Sequence, residues 1–72
     1  MEPKKIAIST EFIRLDAMLK LGGAFVTGGQ AKEAIQGGQV LVDGEICTMR
    51  GKKMRPGDKA RFNNTDYEVS AG

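Results

Sequence analysis

The sequence predicts an α+β domain, with two short helices packed on one face of a small, mostly antiparallel sheet of four to five strands. Three observations carry that expectation. Residues 14–23 and 27–38 space their apolar side chains at helical intervals, and each segment ends on a Gly-Gly pair. The segments around them alternate apolar and polar residues, as half-buried strands do. Turn sequences, Asp43-Gly44 and Arg55-Pro56-Gly57-Asp58, punctuate the second half of the chain.

Taken in order, "KIAIS" alternates Ile6 and Ile8 with smaller or polar neighbours and reads as a short strand. Phe12 and Ile13 lead into a helix expected to begin near Arg14, with Ser9 or Thr10 available to cap it. Leu15, Met18 and Leu19 fall on one face of that helix at i, i+3 and i+4, while Arg14, Asp16 and Lys20 lie off the stripe. Gly22-Gly23 is expected to stop it, because glycine accepts the left-handed conformation of a C-terminal cap. The second helix lies in "TGGQAKEAIQGG", with Ala31, Ala34 and Ile35 as its apolar stripe and Lys32 and Gln36 opposite. It is only about two to three turns long, too short to be stable alone, so its alanines must pack against the first helix. "QVLVDGEICT" reads as a hairpin turning at Asp43-Gly44, "RPGD" as a type II turn, and "KARF" and "YEV" as strands joined across "NNTD". The expected order is β-α-α-β-β-β-β.

Seventy-two residues make one domain, expected to span 1–72. A chain of this size buries only roughly 60% of the surface its unfolded form exposes, so each large core residue counts. One cysteine, Cys47, allows no internal disulfide and fits a reducing compartment. The start, "MEPKKIAIST", lacks the apolar run of a signal peptide, and no stretch approaches the length of a membrane span. A cytoplasmic, soluble protein that does not engage membranes is expected. The chain has no histidine, which excludes a Cys-His nucleophile and a Cys/His metal cluster. Asp16, Glu33 and Asp43 each lie near lysines or arginines in sequence, where ion pairing is their ordinary role. The three Gly-Gly pairs fit neither a Walker nor a dinucleotide-binding spacing. The expectation is a protein that is not an enzyme and carries no cofactor.

The charge is unevenly spread. Residues 50–61 hold six basic side chains and one acid, +5 locally, which leaves −3 for the remainder of a chain whose net charge is +2. Such a block is either a solvated loop or the footprint of an anionic partner. The glycines that open the second helix also admit two readings. They permit a tight turn between helices, or they expose the unpaired first N–H groups of the helix to a phosphate that a Cβ would hold off. In the second reading Gly28 and Gly29 supply backbone donors, Thr27 a hydroxyl, Gln30 an amide, and Lys32 a full charge one turn on.

These residues resemble an S4-type RNA-binding domain over residues 14–62. The family's Arg-Leu-Asp signature matches Arg14-Leu15-Asp16, and its Ala-basic pair on helix two matches Ala31-Lys32. Its Gly-x-Val-x-Val-Asn/Asp-Gly hairpin is similar to residues 38–44, and its Lys/Arg-Pro-Gly-Asp turn to residues 55–58. Within the family the chain resembles the small stand-alone bacterial proteins of the YaaA and YbcJ type, which share a glycine-rich entry to helix two and a basic loop like "MRGKKM". The resemblance implies a core motif at 14–62 and an RNA surface formed by both helices and the following hairpin. Carried over by position, that surface includes Arg14, Thr27, Gly28, Lys32 and, in the basic loop, Arg50, Lys52 and Lys53. Many members carry Ser-Arg at the start of helix two, where this chain has Thr27-Gly28, so an arginine contact is absent and backbone donors or Lys52 and Lys53 take its place.

The functional expectation is a monomeric, non-catalytic protein that recognises structured RNA, ribosomal or transfer RNA, through phosphate contacts and shape, with ribosomal particles as further partners. Few aromatics are available as stacking platforms: Phe12, Phe25, Phe62 and Tyr67, most of them expected in the core. The alternative is a protein-interaction adaptor, ribosome-associated, that keeps the fold without touching RNA. The modest net charge and the glycine in place of arginine favour that alternative. The 260-nm absorbance of the purified protein separates the two.

Overall fold

A computed structural model of the chain describes residues 3–72. Alternation of Ile6 and Ile8 with exposed neighbours makes β1 (Lys4–Ile8), as the pattern predicts. A two-residue strand, β2 (Ile13–Arg14), then precedes α1 (Leu15–Leu21). The second helix, α2 (Gly28–Gln36), is followed by β3 (Val40–Val42), β4 (Glu45–Ile46), β5 (Lys53–Met54), β6 (Lys59–Phe62) and β7 (Thr65–Ala71). The main sheet has five strands in the order β1-β7-β6-β3-β4, and β2 pairs with β5 in a separate ribbon. Every pairing is antiparallel except β1 with β7, which is parallel and joins the two ends of the chain, Ile6 opposite Val69.

Turn chemistry fixes the register. Asp43 and Gly44 both adopt positive φ, 51° and 88°, as do Asn63 and Asn64, at 52° and 64°. These are the backbone signs of the tight hairpin turns whose twist matches the strands they join. The second turn is therefore Asn63-Asn64 alone, shorter than the predicted "NNTD" link, because Thr65 and Asp66 already pair with Phe62 and Arg61. At the "RPGD" turn the Asp58 carboxylate accepts from the Arg55 N–H at 2.8 Å and the Asp58 N–H returns to the Arg55 carbonyl at 2.9 Å.

The inner face of the sheet and the helix stripes share one core. Leu15, Met18 and Leu19 of α1 and Ala31 and Ile35 of α2 are completely buried, in the predicted register. Ile6, Val40, Val42, Ala60, Tyr67 and Val69 face them from the sheet. Met54 is also completely buried, although it sits inside the basic block. Phe25 and Phe62 flank the core half-buried, with ring centroids 4.7 Å apart. Phe12 stays more than one-third exposed, the exception among aromatics of which most were expected in the core.

Two details of α1 differ from expectation, while Gly22-Gly23 ends it as expected. Arg14 is not in the helix; its backbone is extended, φ −70° and ψ 147°, and it forms the last residue of β2 and the N-cap. Neither Ser9 nor Thr10 caps the helix: the Thr10 hydroxyl donates to the Phe12 carbonyl at 2.8 Å instead. At the other end Gly22 is right-handed and Gly23 carries the positive φ of 84°. Gly22 provides room rather than a left-handed turn, since a Cβ there would stand 2.6 Å and 2.8 Å from carbons of the Tyr67 ring.

Candidate nucleic-acid interface

The start of α1 has no side-chain cap. Its first N–H groups nevertheless need partners. They find them in the basic loop: the Leu15 N–H donates to the Lys52 carbonyl at 2.9 Å, and the Asp16 N–H to the Arg50 carbonyl at 3.1 Å. Pairing of Ile13 with Met54 and of Arg14 with Lys53 holds the far side of the same loop. The loop's main chain is thus spent on the helix, while its cationic side chains point outward. Arg50 and Lys53 are exposed and Lys52 half-buried.

Arg14 lies beside this loop. Its guanidinium donates to Asp16 Oδ2 at 3.2 Å, and its side chain remains about half exposed at 53%. The other Asp16 oxygen accepts from the Ala17 N–H at 2.8 Å, which ties the carboxylate to the helix. The pair fixes the direction of the guanidinium without burying it. The loop's main chain runs alongside it: a Cβ on Gly51 would make ordinary contact with an Arg14 nitrogen, at 3.8 Å. Lys53 Nζ sits 5.0 Å from the centroid of the Phe12 ring, within cation–π range.

The start of α2 is capped by its own residues. Thr27 Oγ1 accepts from the Gln30 N–H at 3.2 Å, and Gln30 Oε1 accepts from the Val26 N–H at 3.1 Å. This is a variant of the reciprocal capping box, with the returning bond one residue earlier than usual. Thr27 and Gln30 therefore have structural tasks that the sequence reading did not assign them. Among the described residues no hydrogen bond engages the N–H groups of Gly28 and Gly29. Around both glycines there is space: a Cβ at Gly28 meets nothing within 4 Å, and one at Gly29 meets only Thr27 Oγ1, at 3.9 Å.

A shallow cleft of about 240 Å³ connects the two helix starts, lined by Arg14, Asp16, Ala17, Lys20 and Gly28. It unites Arg14 with the glycine entry of α2 and adds Lys20, which sequence reasoning left as a solvated residue off the apolar stripe. The spacing Asp16 to Lys20, one helical turn, together with the Arg14–Asp16 ion pair, is the signal that would have found it. Lys32 is exposed on α2 but does not line that cleft. Lys52 borders a different cleft of about 580 Å³ beside β4, with the exposed Ile46 and Met49. The arrangement offers cations and backbone donors to an anion. Among the described residues no group of His, Cys, Asp or Glu is arranged to hold a metal, and no helix is long and apolar enough to cross a membrane.

Two helices on a small mixed sheet, with a cationic rim made from their N-terminal ends and a capping loop, define a compact α+β module that turns one charged edge outward. Such a module matches a known family model, described as S4 domain, over residues 6–70, and the chain belongs to that family. It is also similar to the probable ribosome maturation protein RlbA of Bacillus subtilis (strain 168), with 42% identity over 53 residues that cover 74% of this chain and 75% of that protein.

Proposed function

We propose that this protein binds structured ribosomal RNA as a non-catalytic module, acting as a monomer through phosphate contacts and shape. Membership of the S4 domain family and a relative named for ribosome maturation support an RNA-binding, ribosome-associated role. The relative's name favours ribosomal over transfer RNA. The observation that carries the reading is the basic loop's double use. Its carbonyls cap α1, so Arg50, Lys52 and Lys53 are held beside Arg14 before any partner arrives. Pre-ordered cations lose less conformational freedom on binding than cations on a floppy loop. The N–H groups of Gly28 and Gly29 extend the same edge and serve a phosphate.

Titration of the purified protein against fragments of ribosomal RNA at a series of salt concentrations tests this. Log K should fall linearly with log salt, by about 0.7–0.9 for each phosphate engaged. Absence of binding at low salt would refute it. The exposed Ile46 and Met49, each 65% accessible beside β4, favour a second reading in which the protein is an adaptor for a ribosomal protein. That reading predicts salt-insensitive binding to protein-containing particles and none to bare RNA.

A further inference from the structure

On the opposite flank of the first turn of α2 from the Arg14–Gly28 cleft lies a second recess that the phosphate reading leaves unused. It is an open recess of about 350 Å³, room for one face and edge of a base. Its apolar wall is the tilted pair Phe25 and Phe62. Its polar rim carries Gln30, Glu33 and Gln39. Both rings are half-buried and both line the recess. Among the described residues the Glu33 carboxylate has no ion-pair or hydrogen-bond partner. The Gln30 oxygen is occupied by the Val26 N–H, which directs the free end of that amide, two N–H donors, away from the backbone.

An unpaired carboxylate beside an RNA-facing helix start would repel phosphate. It becomes favourable only if it meets N–H donors. A carboxylate accepts two parallel N–H bonds, amide N–H groups donate to a carbonyl, and a phenyl face accepts a stacked base. Among the four RNA bases, guanine alone presents two adjacent N–H donors next to a carbonyl on its Watson–Crick edge. We propose that this recess receives an unpaired guanine of the bound RNA, stacked against Phe62 and Phe25, with Glu33 accepting from its N1–H and N2–H and Gln30 or Gln39 donating to O6. Gln30 belongs to the recess and Gly28 to the phosphate cleft, so a strand crossing the first turn of α2 places a phosphate on one side and its base on the other. The site rests on the RNA-binding reading and gives it base specificity.

The test uses the full chain and a set of hairpin RNAs identical except at one position: fully paired, or with a single bulged G, A or U. Wild-type protein should bind the G bulge about tenfold more tightly than the A or U bulge, the scale of one base–aromatic stack with its edge contacts. Glu33→Gln, an exposed substitution, should abolish the preference for G over A without weakening binding to the paired hairpin, since it removes a negative charge and no contact to that RNA. Phe62→Leu, which keeps apolar volume beside the core, should weaken binding to the G bulge by a similar factor. Equal affinity for G, A and U bulges, together with salt-dependent binding to all of them, would overturn the guanine site and leave the phosphate surface standing. Binding to none of the RNAs would overturn both. A G preference that survives Glu33→Gln would also overturn the assignment.

Discussion

Gly29→Ala separates anion binding from packing at the start of α2. The added methyl meets only Thr27 Oγ1, at 3.9 Å, so it carries no steric cost within the protein. Position 29 is the second residue of the helix, where alanine is favoured over glycine by up to about 1 kcal/mol. In a domain of this size that corresponds to a melting temperature unchanged or raised by up to about 4–8 °C. The Cα–Cβ bond of a helical residue leans toward the N-terminus, so the methyl stands where a phosphate on the free N–H groups would sit. A hydrogen bond to a charged group contributes about 1.5–3 kcal/mol, and its loss would weaken RNA binding by roughly tenfold to a hundredfold. Gly38→Ala is the control. Gly38 has φ 78°, and its Cβ would make only ordinary contact with Ile46 at 3.6 Å. The cost there is conformational, about 1–2 kcal/mol of stability, with RNA affinity intact once folded. Calorimetric melting and RNA titration on both variants measure the four quantities. Equal RNA affinity for Gly29→Ala and wild type would refute the anion site.

Three further outcomes are expected. Lys52→Ala with Lys53→Ala should make the slope of log K against log salt shallower by about 0.7–0.9 for each phosphate no longer engaged, and should cost about 0.5–1 kcal/mol through the Lys53–Phe12 interaction; a salt titration with an unchanged slope would mean that neither lysine touches the RNA backbone. Leu15→Ala or Leu19→Ala, each removing a completely buried side chain, should cost about 2–5 kcal/mol in thermal or urea unfolding. Met54→Ala should cost a similar amount and weaken RNA binding by loosening the basic loop, yet keep the wild-type salt slope, because every cation remains; a slope reduced as in the lysine variant would contradict that role.

How far the sequence could be read depends on the range of each signal. The faces of both helices were legible because burial repeats at three- and four-residue spacing, and the hairpin at Asp43-Gly44 because two residues determine its backbone. The β2–β5 ribbon was not legible. Its strands are two residues each, too short to alternate, and Met54 stands between Lys53 and Arg55 as a lone apolar residue in a basic run. The parallel pairing of β1 with β7 leaves no local mark, since it joins opposite ends of the chain. The cap of α1 was not legible for a related reason: it is main chain from the 50–52 segment, and the N-cap residue itself is Arg14, with no side-chain cap to announce the start. At the candidate site Arg14 and Gly28 line one cleft. Lys20 joins them unannounced, and Lys32 stands apart.

The two helix starts solve the same hydrogen-bonding problem in opposite ways, and the difference organises the charged edge. A helix N-terminus offers donors and a partial positive charge. At α2, Thr27 and Gln30 satisfy the turn from within the sequence and leave the Gly28 and Gly29 N–H groups facing solvent. At α1 the donors are consumed by the carbonyls of Arg50 and Lys52, so that end has none to give a ligand. What it gains instead is a loop bearing three cations whose main chain is fixed by the helix it caps and anchored by Met54 in the core. One helix start thus offers main-chain donors and the other positions side-chain charge, with Arg14 between them, pinned by Asp16. A domain with so small a core has few interactions to spare for ordering a separate charged loop. Tying the loop to the first helix means that whatever folds the protein also orders the main chain that carries these cations.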